Sequence, residues 1–208
     1  MRYVDTGKDC VVDFDRQERI VEQLQATERL GGACVEVGAY RGGTAELISR
    51  YKATRPLYLF DTFEGIPFVD ERDISQDGFI HKVGDFSDTS LELVKARLSD
   101  YEDVHVYKGI FPQDTGNIIE NLEFSFVHLD VDVYQSYMDS LKFFYPRMLG
   151  GGVIICDDYS FQSTYGARRA VDKFFKDKPE DYSVPFKEDV LGAINWSLNL
   201  IINILPKE

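Results

Sequence analysis

Five short, almost uninterrupted apolar runs constrain this chain most: ACVEVGAY (33–40), PLYLFD (56–61), VHVYKG (104–109), FSFVHLD (124–130) and GGVIICDD (151–158). Helix-like stretches separate them. The first spans about Arg16 to Leu30, with Ile20, Val21 and Leu24 on one face and Gly31-Gly32 as a stop. RGGTAELISRY (41–51), LVKARL (93–98), SYMDSLKFFYPRML (136–149) and GARRAVDKFFKD (166–177) follow. Continuous apolar strands alternating with helices imply a parallel sheet covered on both faces, an α/β Rossmann-like arrangement. The C-terminal run from Ile194 to Ile204 alternates apolar and polar residues, which favours a strand, although Asn195, Asn199 and Asn203 also sit four apart as on a helix, and Ile201 fits neither polar face.

A length of 208 residues suits one domain with a substantial core, residues 1–208. The stretch 62–90, rich in Gly, Asp and Ser, is too long for an ordinary connection and reads as a lid-like insertion. A net charge of −13 argues against nucleic acid and against an anionic membrane surface. Cys10, Cys34 and Cys156 have neither zinc nor disulfide spacing, and two of them lie in apolar strands as buried thiols. No signal peptide and no 18-residue apolar run is visible, so a cytoplasmic protein is expected.

Two chemical signals stand out. EVGAYRGGTAE follows a strand and opens a helix, with Gly38, Gly42 and Gly43 allowing a tight turn and close approach of a ligand to the backbone. Asp61 closes the next strand 23 positions after Gly38, about the spacing at which an acid takes ribose hydroxyls. The pattern is not GxGxxG, which favours a nucleoside-containing cofactor over a dinucleotide. Glu36 would crowd a pyrophosphate but attract an ammonium group.

The second signal is a set of acids. Glu36, Asp61, Asp130, Asp132, Asp157 and Asp158 all fall at or near the carboxyl ends of strands, where open α/β sheets bind ligands. If HLDVDVY stays extended, Asp130 and Asp132 project to one side. Several convergent carboxylates without Lys or Arg repel one another, and Mg²⁺ or another hard divalent cation relieves that. A solvated or capping role for Asp157-Asp158 is the competing reading.

EVGAYRGGTA, LFDTFEGIP, KGIFPQDT, FVHLDVDVYQSYMDSLKFFYPRMLGGGVIICDDY and GARRAVDKFF together resemble the macrocin O-methyltransferase family over about residues 33–178. The resemblance implies a class I S-adenosylmethionine-dependent fold, a seven-stranded, mostly parallel sheet with the last strand antiparallel. It implies methylation of sugar hydroxyls of natural products. It assigns a metal to Asp130, Asp157 and Asp158, and the general base to Asp132. For the cofactor it carries over Glu36, Gly38, Gly42, Gly43 and Asp61, with Arg41, Thr62 and Asp130 beside them, and Gly109 and Phe111 near the adenine. Family members that act on macrolide or aminocoumarin sugars carry a longer N-terminal part, so a reduced lid is expected here, leaving the site open or covered by the partner of a homo-oligomer.

The expected reaction is methyl transfer to a hydroxyl of a sugar or other vicinal diol, a catechol included. A metal-bound hydroxyl becomes acidic and held in line, and Asp132 takes its proton. Two other readings stay open. An NAD(P)-dependent oxidoreductase does not explain Asp130, Asp157 and Asp158 together, and a non-catalytic adenosyl-cofactor module has no need to hold those charges. His128 is expected to be packed and hydrogen-bonded; His81 to lie on a surface loop, with substrate contact as the alternative; Tyr134, Tyr159 and Trp196 to pack, Tyr159 alternatively lining the pocket; and Arg168-Arg169 to face solvent, one of them alternatively pairing with an acid near the site.

Overall fold

A computed structural model describes residues 10–180, 187–188, 194–195 and 199–206. Helix α1 (Phe14–Ala26) is capped by Asp13, whose carboxylate accepts the Arg16 backbone N–H at 3.0 Å. Its buried stripe is Arg16, Gln17, Ile20, Val21 and Leu24, the helical spacing of a face laid on the sheet. In chain order follow β1 (Ala33–Val37), α2 (Gly43–Tyr51), β2 (Leu57–Asp61), α3 (Leu91–Arg97), β3 (Val104–Lys108), β4 (Phe124–Leu129), α4 (Tyr134–Phe144), β5 (Met148–Cys156) and α5 (Tyr165–Phe175). The short strands β6 (Lys187–Glu188) and β7 (Ile194–Asn195) precede β8 (Leu200–Asn203).

The main sheet runs β3-β2-β1-β4-β5-β8, parallel throughout except that β8 pairs antiparallel with β5. The order reverses between β1 and β4, the switch point at which such sheets leave a crevice at their carboxyl ends. Successive strand residues feed two cores. Val35, Val37, Leu129, Ile154 and Cys156 pack with α4 and α5, whereas Cys34, Leu59, Phe126, Val153 and Ile155 pack with α1 and α2. Burial on both faces is why these strands read as continuous rather than alternating.

The architecture agrees with the expected class, with particular corrections. The main sheet has six strands among the described residues, not seven, because β6 and β7 pair with each other as a separate ribbon. The C-terminal run is therefore not one strand, and Trp196 lies outside the described residues. Ile201 escapes the polar alternation because it turns to the α1–α2 core while Leu200 and Ile202 turn to the other. The helix expected over 136–149 stops at Phe144, and Gly150 to Gly152 belong to β5, where Gly151 has φ 85° and the register against β4 shifts.

Residues 62–90 are fastened at both ends. Asp73 accepts the Tyr134 N–H at 2.7 Å, the Arg72 guanidinium lies 4.1 Å over the Tyr134 ring, and Tyr40 donates its hydroxyl to Asp88 at 2.6 Å. No helix among the described residues is long and apolar enough to cross a membrane.

Candidate active site

A cavity of about 340 Å³ opens at the carboxyl ends of β1, β2 and β4. Its floor is the glycine turn. Gly38 has φ +93°, and a Cβ there would lie 1.7 Å from the Asp130 carbonyl oxygen, so the β1–α2 and β4–α4 turns approach too closely for any side chain. Asp61 fixes the turn: its carboxylate accepts the Tyr40 N–H at 2.8 Å and the Phe63 N–H at 2.6 Å. Burial pushes its carboxyl up, and those amides pull it part of the way back.

On the opposite wall the chain does not stay extended after β4. It turns at once, with Asp132 at φ 59°, so Asp130 and Asp132 are not aligned by strand alternation as expected. The cause is Asp158. One oxygen of its buried carboxylate accepts the Val131 N–H at 3.1 Å, the Asp132 N–H at 3.0 Å and the Tyr137 hydroxyl at 2.8 Å. Asp158 is thus an anion seated in a backbone nest, and it dictates the turn that carries Asp130 and Asp132.

Asp157 points elsewhere. One oxygen is paired with the Arg16 guanidinium, and the other lies 3.5 Å from both His128 Nε2 and Asn199 Nδ2. His128, wholly buried, reaches Glu36 at 3.2 Å through Nδ1. Burial opposes the imidazolium, but the bonds to Asp157 and Glu36 outweigh it and hold His128 well above the ordinary value. The expectation of a packed, hydrogen-bonded histidine holds, and the packing partner is a carboxylate on each side.

Asp130 and Asp132 differ from these two acids. Both line the cavity, and neither carboxylate has a protein hydrogen-bond donor among the described residues. Burial first, and the charges of Asp158 and Asp157 second, hold both carboxyls well above the ordinary range. Among the described residues no three His, Cys, Asp or Glu side chains are arranged to hold a metal ion. Asp130, Asp157 and Asp158 accordingly do not fit a divalent cation as they stand: Asp157 is already paired with a cation, and one Asp158 oxygen is taken by two backbone amides and the Tyr137 hydroxyl.

Of the residues expected at the cofactor, Gly38, Asp61, Thr62, Gly109, Phe111 and Asp130 line the cavity. Phe111 stacks on Phe144 at 4.9 Å and tilts against Phe60 at 4.7 Å, giving a flat apolar wall. Glu36 lies beneath, on His128; Arg41 reaches out to Asp88; Gly42 approaches Val94 and Arg97, and Gly43 begins α2. Thr62 spends its hydroxyl on the Gly65 carbonyl at 2.7 Å. The sequence reading missed Arg16, Phe161 and Thr164, and set His81 on the surface although it lines the cavity, 3.4 Å from Asp85. A signal for Arg16 existed: it sits four residues before Ile20 on the buried stripe of α1, where an arginine needs a partner.

Comparison with known proteins points the same way. Residues 7–186 match the sequence model of the family described as macrocin O-methyltransferase (TylF). Among curated relatives, 8-demethyl-8-(2,3-dimethoxy-alpha-L-rhamnosyl)-tetracenomycin-C 4'-O-methyltransferase of Streptomyces olivaceus is 29% identical over 161 residues, 72% of this chain and 61% of that protein. Mycinamicin III 3''-O-methyltransferase of Micromonospora griseorubida is 30% identical over 141 residues, 62% of this chain and 55% of that protein. This chain thus spans between about half and three-fifths of the length of the curated relatives it matches. In fold it is similar to the O-methyltransferase NovP, with a TM-score of 0.72 at 24% identity over 94% of this chain and 82% of that one. CalS11, a calicheamicin methyltransferase, gives 0.73 at 15% identity over 90% and 77%. With the family's sequence model matched over most of its length and the switch-point cavity in place, the chain belongs to the macrocin O-methyltransferase (TylF) family.

Proposed function

We propose that this chain is an S-adenosylmethionine-dependent O-methyltransferase acting on a hydroxyl of a small natural product, a sugar or another vicinal diol. The observation that carries the reading is the meeting of the Gly38 turn and Asp61 with Asp130 and Asp132, two carboxylates lacking protein donors, in one cavity of a chain of this family. The relatives named for methylating rhamnosyl and macrolide compounds support the acceptor class.

When bound, S-adenosylmethionine supplies an electrophilic methyl group on a sulfonium. The residues present suit it: each Asp61 oxygen keeps a lone pair for a ribose hydroxyl after accepting its amide, and Phe111, which lines the cavity, offers an aromatic ring to a purine. Asp132 acts as general base. The acceptor oxygen forms its bond to the methyl carbon as the carbon–sulfur bond breaks, and its proton passes to the Asp132 carboxylate. A carboxylate whose proton affinity is raised by burial and by like charges is better matched to that task near neutral pH than a solvated one. A vicinal diol would present one hydroxyl to Asp132 and its neighbour to Asp130. The unpaired, buried thiols of Cys34 and Cys156 support a reducing compartment, and with it the cytoplasm.

Calorimetric titration with S-adenosylhomocysteine, in EDTA and in Mg²⁺, on wild type and Asp61→Ala tests the reading. Binding weakened about tenfold or more by the substitution is expected. No heat in either buffer at high protein concentration would overturn it.

A further inference from the structure

The acids at the end of β5 come with a cation of the chain's own. Arg16 is 7% exposed. Its Nε donates to Asp13 at 3.1 Å, its terminal nitrogen pairs with Asp157, and its guanidinium carbon sits 4.8 Å over the Phe161 ring. The planar fork is therefore held at two edges and on one face, the setting in which arginine outperforms lysine. A second fastening runs beside it. Arg19, one turn along α1, donates to Asn199 Oδ1 at 2.9 Å and to the Asn199 carbonyl at 3.1 Å, and Asn199 Nδ2 faces Asp157 at 3.5 Å. Helix α1 is thus tied to Asp157 directly by Arg16 and indirectly through Asn199, the residue before β8.

The consequence for a divalent cation is steric and electrostatic. Such an ion requires carboxylate oxygens at about 2.0–2.6 Å. One Asp157 oxygen is taken by Arg16, and the other faces His128 and Asn199. An added ion on that carboxylate would stand a few ångströms from a guanidinium in a poorly solvated site, where like charges repel strongly.

We propose that Arg16 is the resident cation of this acid cluster, and that a divalent ion gains Asp157 only by displacing it, so that seating of α1 and metal loading are mutually exclusive states of one site. The inference concerns Asp157, beside the acids of the proposed reaction, and stands on the Arg16 pairing alone.

The test is Mn²⁺ titration of the EDTA-treated, desalted full chain, followed by the electron paramagnetic resonance of free Mn²⁺, with and without S-adenosylhomocysteine. Wild type, Arg16→Gln and Arg16→Lys are compared after circular dichroism shows each to be folded. Arg16→Gln is expected to bind Mn²⁺ at least about tenfold more tightly than wild type, and Arg16→Lys, which keeps the charge, to stay nearer wild type. Affinities of wild type and Arg16→Gln within about twofold, or an Arg16→Gln variant that binds no Mn²⁺, would overturn the proposal. Should Arg16→Gln not fold, amide exchange across Phe14–Ala26 of wild type decides: acceleration on adding Mn²⁺ supports displacement, and unchanged exchange overturns it. Failure of S-adenosylhomocysteine to bind sinks the methyltransferase reading without altering the Mn²⁺ comparison, so the two can fail separately.

Discussion

Removing one hydroxyl should expose how the acid turn is held. Tyr137 is wholly buried on α4, and its oxygen lies 2.8 Å from both the Leu129 carbonyl and an Asp158 carboxylate oxygen while receiving the Asp158 N–H at 3.2 Å. In Tyr137→Phe the ring keeps its place and its apolar burial, so the variant isolates the polar contribution. A hydrogen bond to a charged acceptor contributes about 1.5–3 kcal/mol, and an unsatisfied buried amide or carbonyl adds about 1–3 kcal/mol. Relaxation recovers part of this, and a net loss of about 2–4 kcal/mol is expected. At about 2–4 °C per kcal/mol for a chain of this size, the melting temperature should fall by roughly 4–16 °C. Urea unfolding is the sharper assay, since the midpoint should drop while the slope, which reports exposed surface, stays unchanged. Because Asp158 orients the amides of Val131 and Asp132, kcat should fall as well while S-adenosylhomocysteine binding changes little. A stability loss below about 0.5 kcal/mol, the range of an ordinary surface change, would refute the claim that Tyr137 holds Asp158.

Gly38→Ala places a methyl 1.7 Å from the Asp130 carbonyl at a left-handed φ, so S-adenosylhomocysteine binding should be abolished in calorimetry; retention of wild-type affinity would mean that the two turns do not abut. Asp132→Asn should lower kcat by about 10²–10⁴-fold with little change in the apparent affinity for S-adenosylmethionine, measured by steady-state kinetics once an acceptor is in hand. Stability should also depend on pH in a definite sense. Burial and the neighbouring Asp158 and Asp157 charges raise the Asp130 and Asp132 carboxyls, so the native state keeps protons that the unfolded chain releases above about pH 4. His128, raised by Asp157 and Glu36 against the effect of burial, contributes stability that is full below about 6.5 and lost as pH rises through its folded value. Both lower stability as pH rises, and in EDTA the Asp132→Asn variant should lose less of its urea midpoint between about pH 5 and 8 than wild type; parallel curves would refute the assignment.

Much of this was legible because the responsible signals are local. Apolar runs at Ala33–Val37, Leu57–Asp61 and Phe124–Leu129 are strands because nothing else buries them on two faces, and the acids at or near their ends fall where the topology puts ligands. What stayed illegible depends on which partner a charged group finds across the fold. Asp130 and Asp132 read as a two-residue alternation, but the amides of Val131 and Asp132 both donate to one oxygen of Asp158, 27 and 26 positions away, and bend the chain there. The C-terminal alternation was real only in part, because period two cannot say whether a residue pairs with β5 or with a neighbouring ribbon. His81 resembled a loop histidine because the fold of residues 62–90 rests on distant anchors such as Asp73 on Tyr134.

The question left by the sequence is why so many acids gather at the ends of apolar strands, and their partners answer it unequally. Asp157 and Asp158 are neighbours, yet the short turn that begins at Asp157 sends them apart, one to Arg16 and the other to the amides of Val131 and Asp132. Asp61 serves the amides of Tyr40 and Phe63, and Glu36 serves His128. Each of these four has a donor, although one buried Glu36 oxygen has none, and each donor fixes a piece of backbone or a side chain beside the cavity. Among the described residues no donor reaches Asp130 or Asp132, and they are the two that the other acids hold in place. Cost and use therefore coincide: the destabilising carboxylates are the ones that face an incoming hydroxyl, and neutralising either of them should stabilise the fold while removing the chemistry.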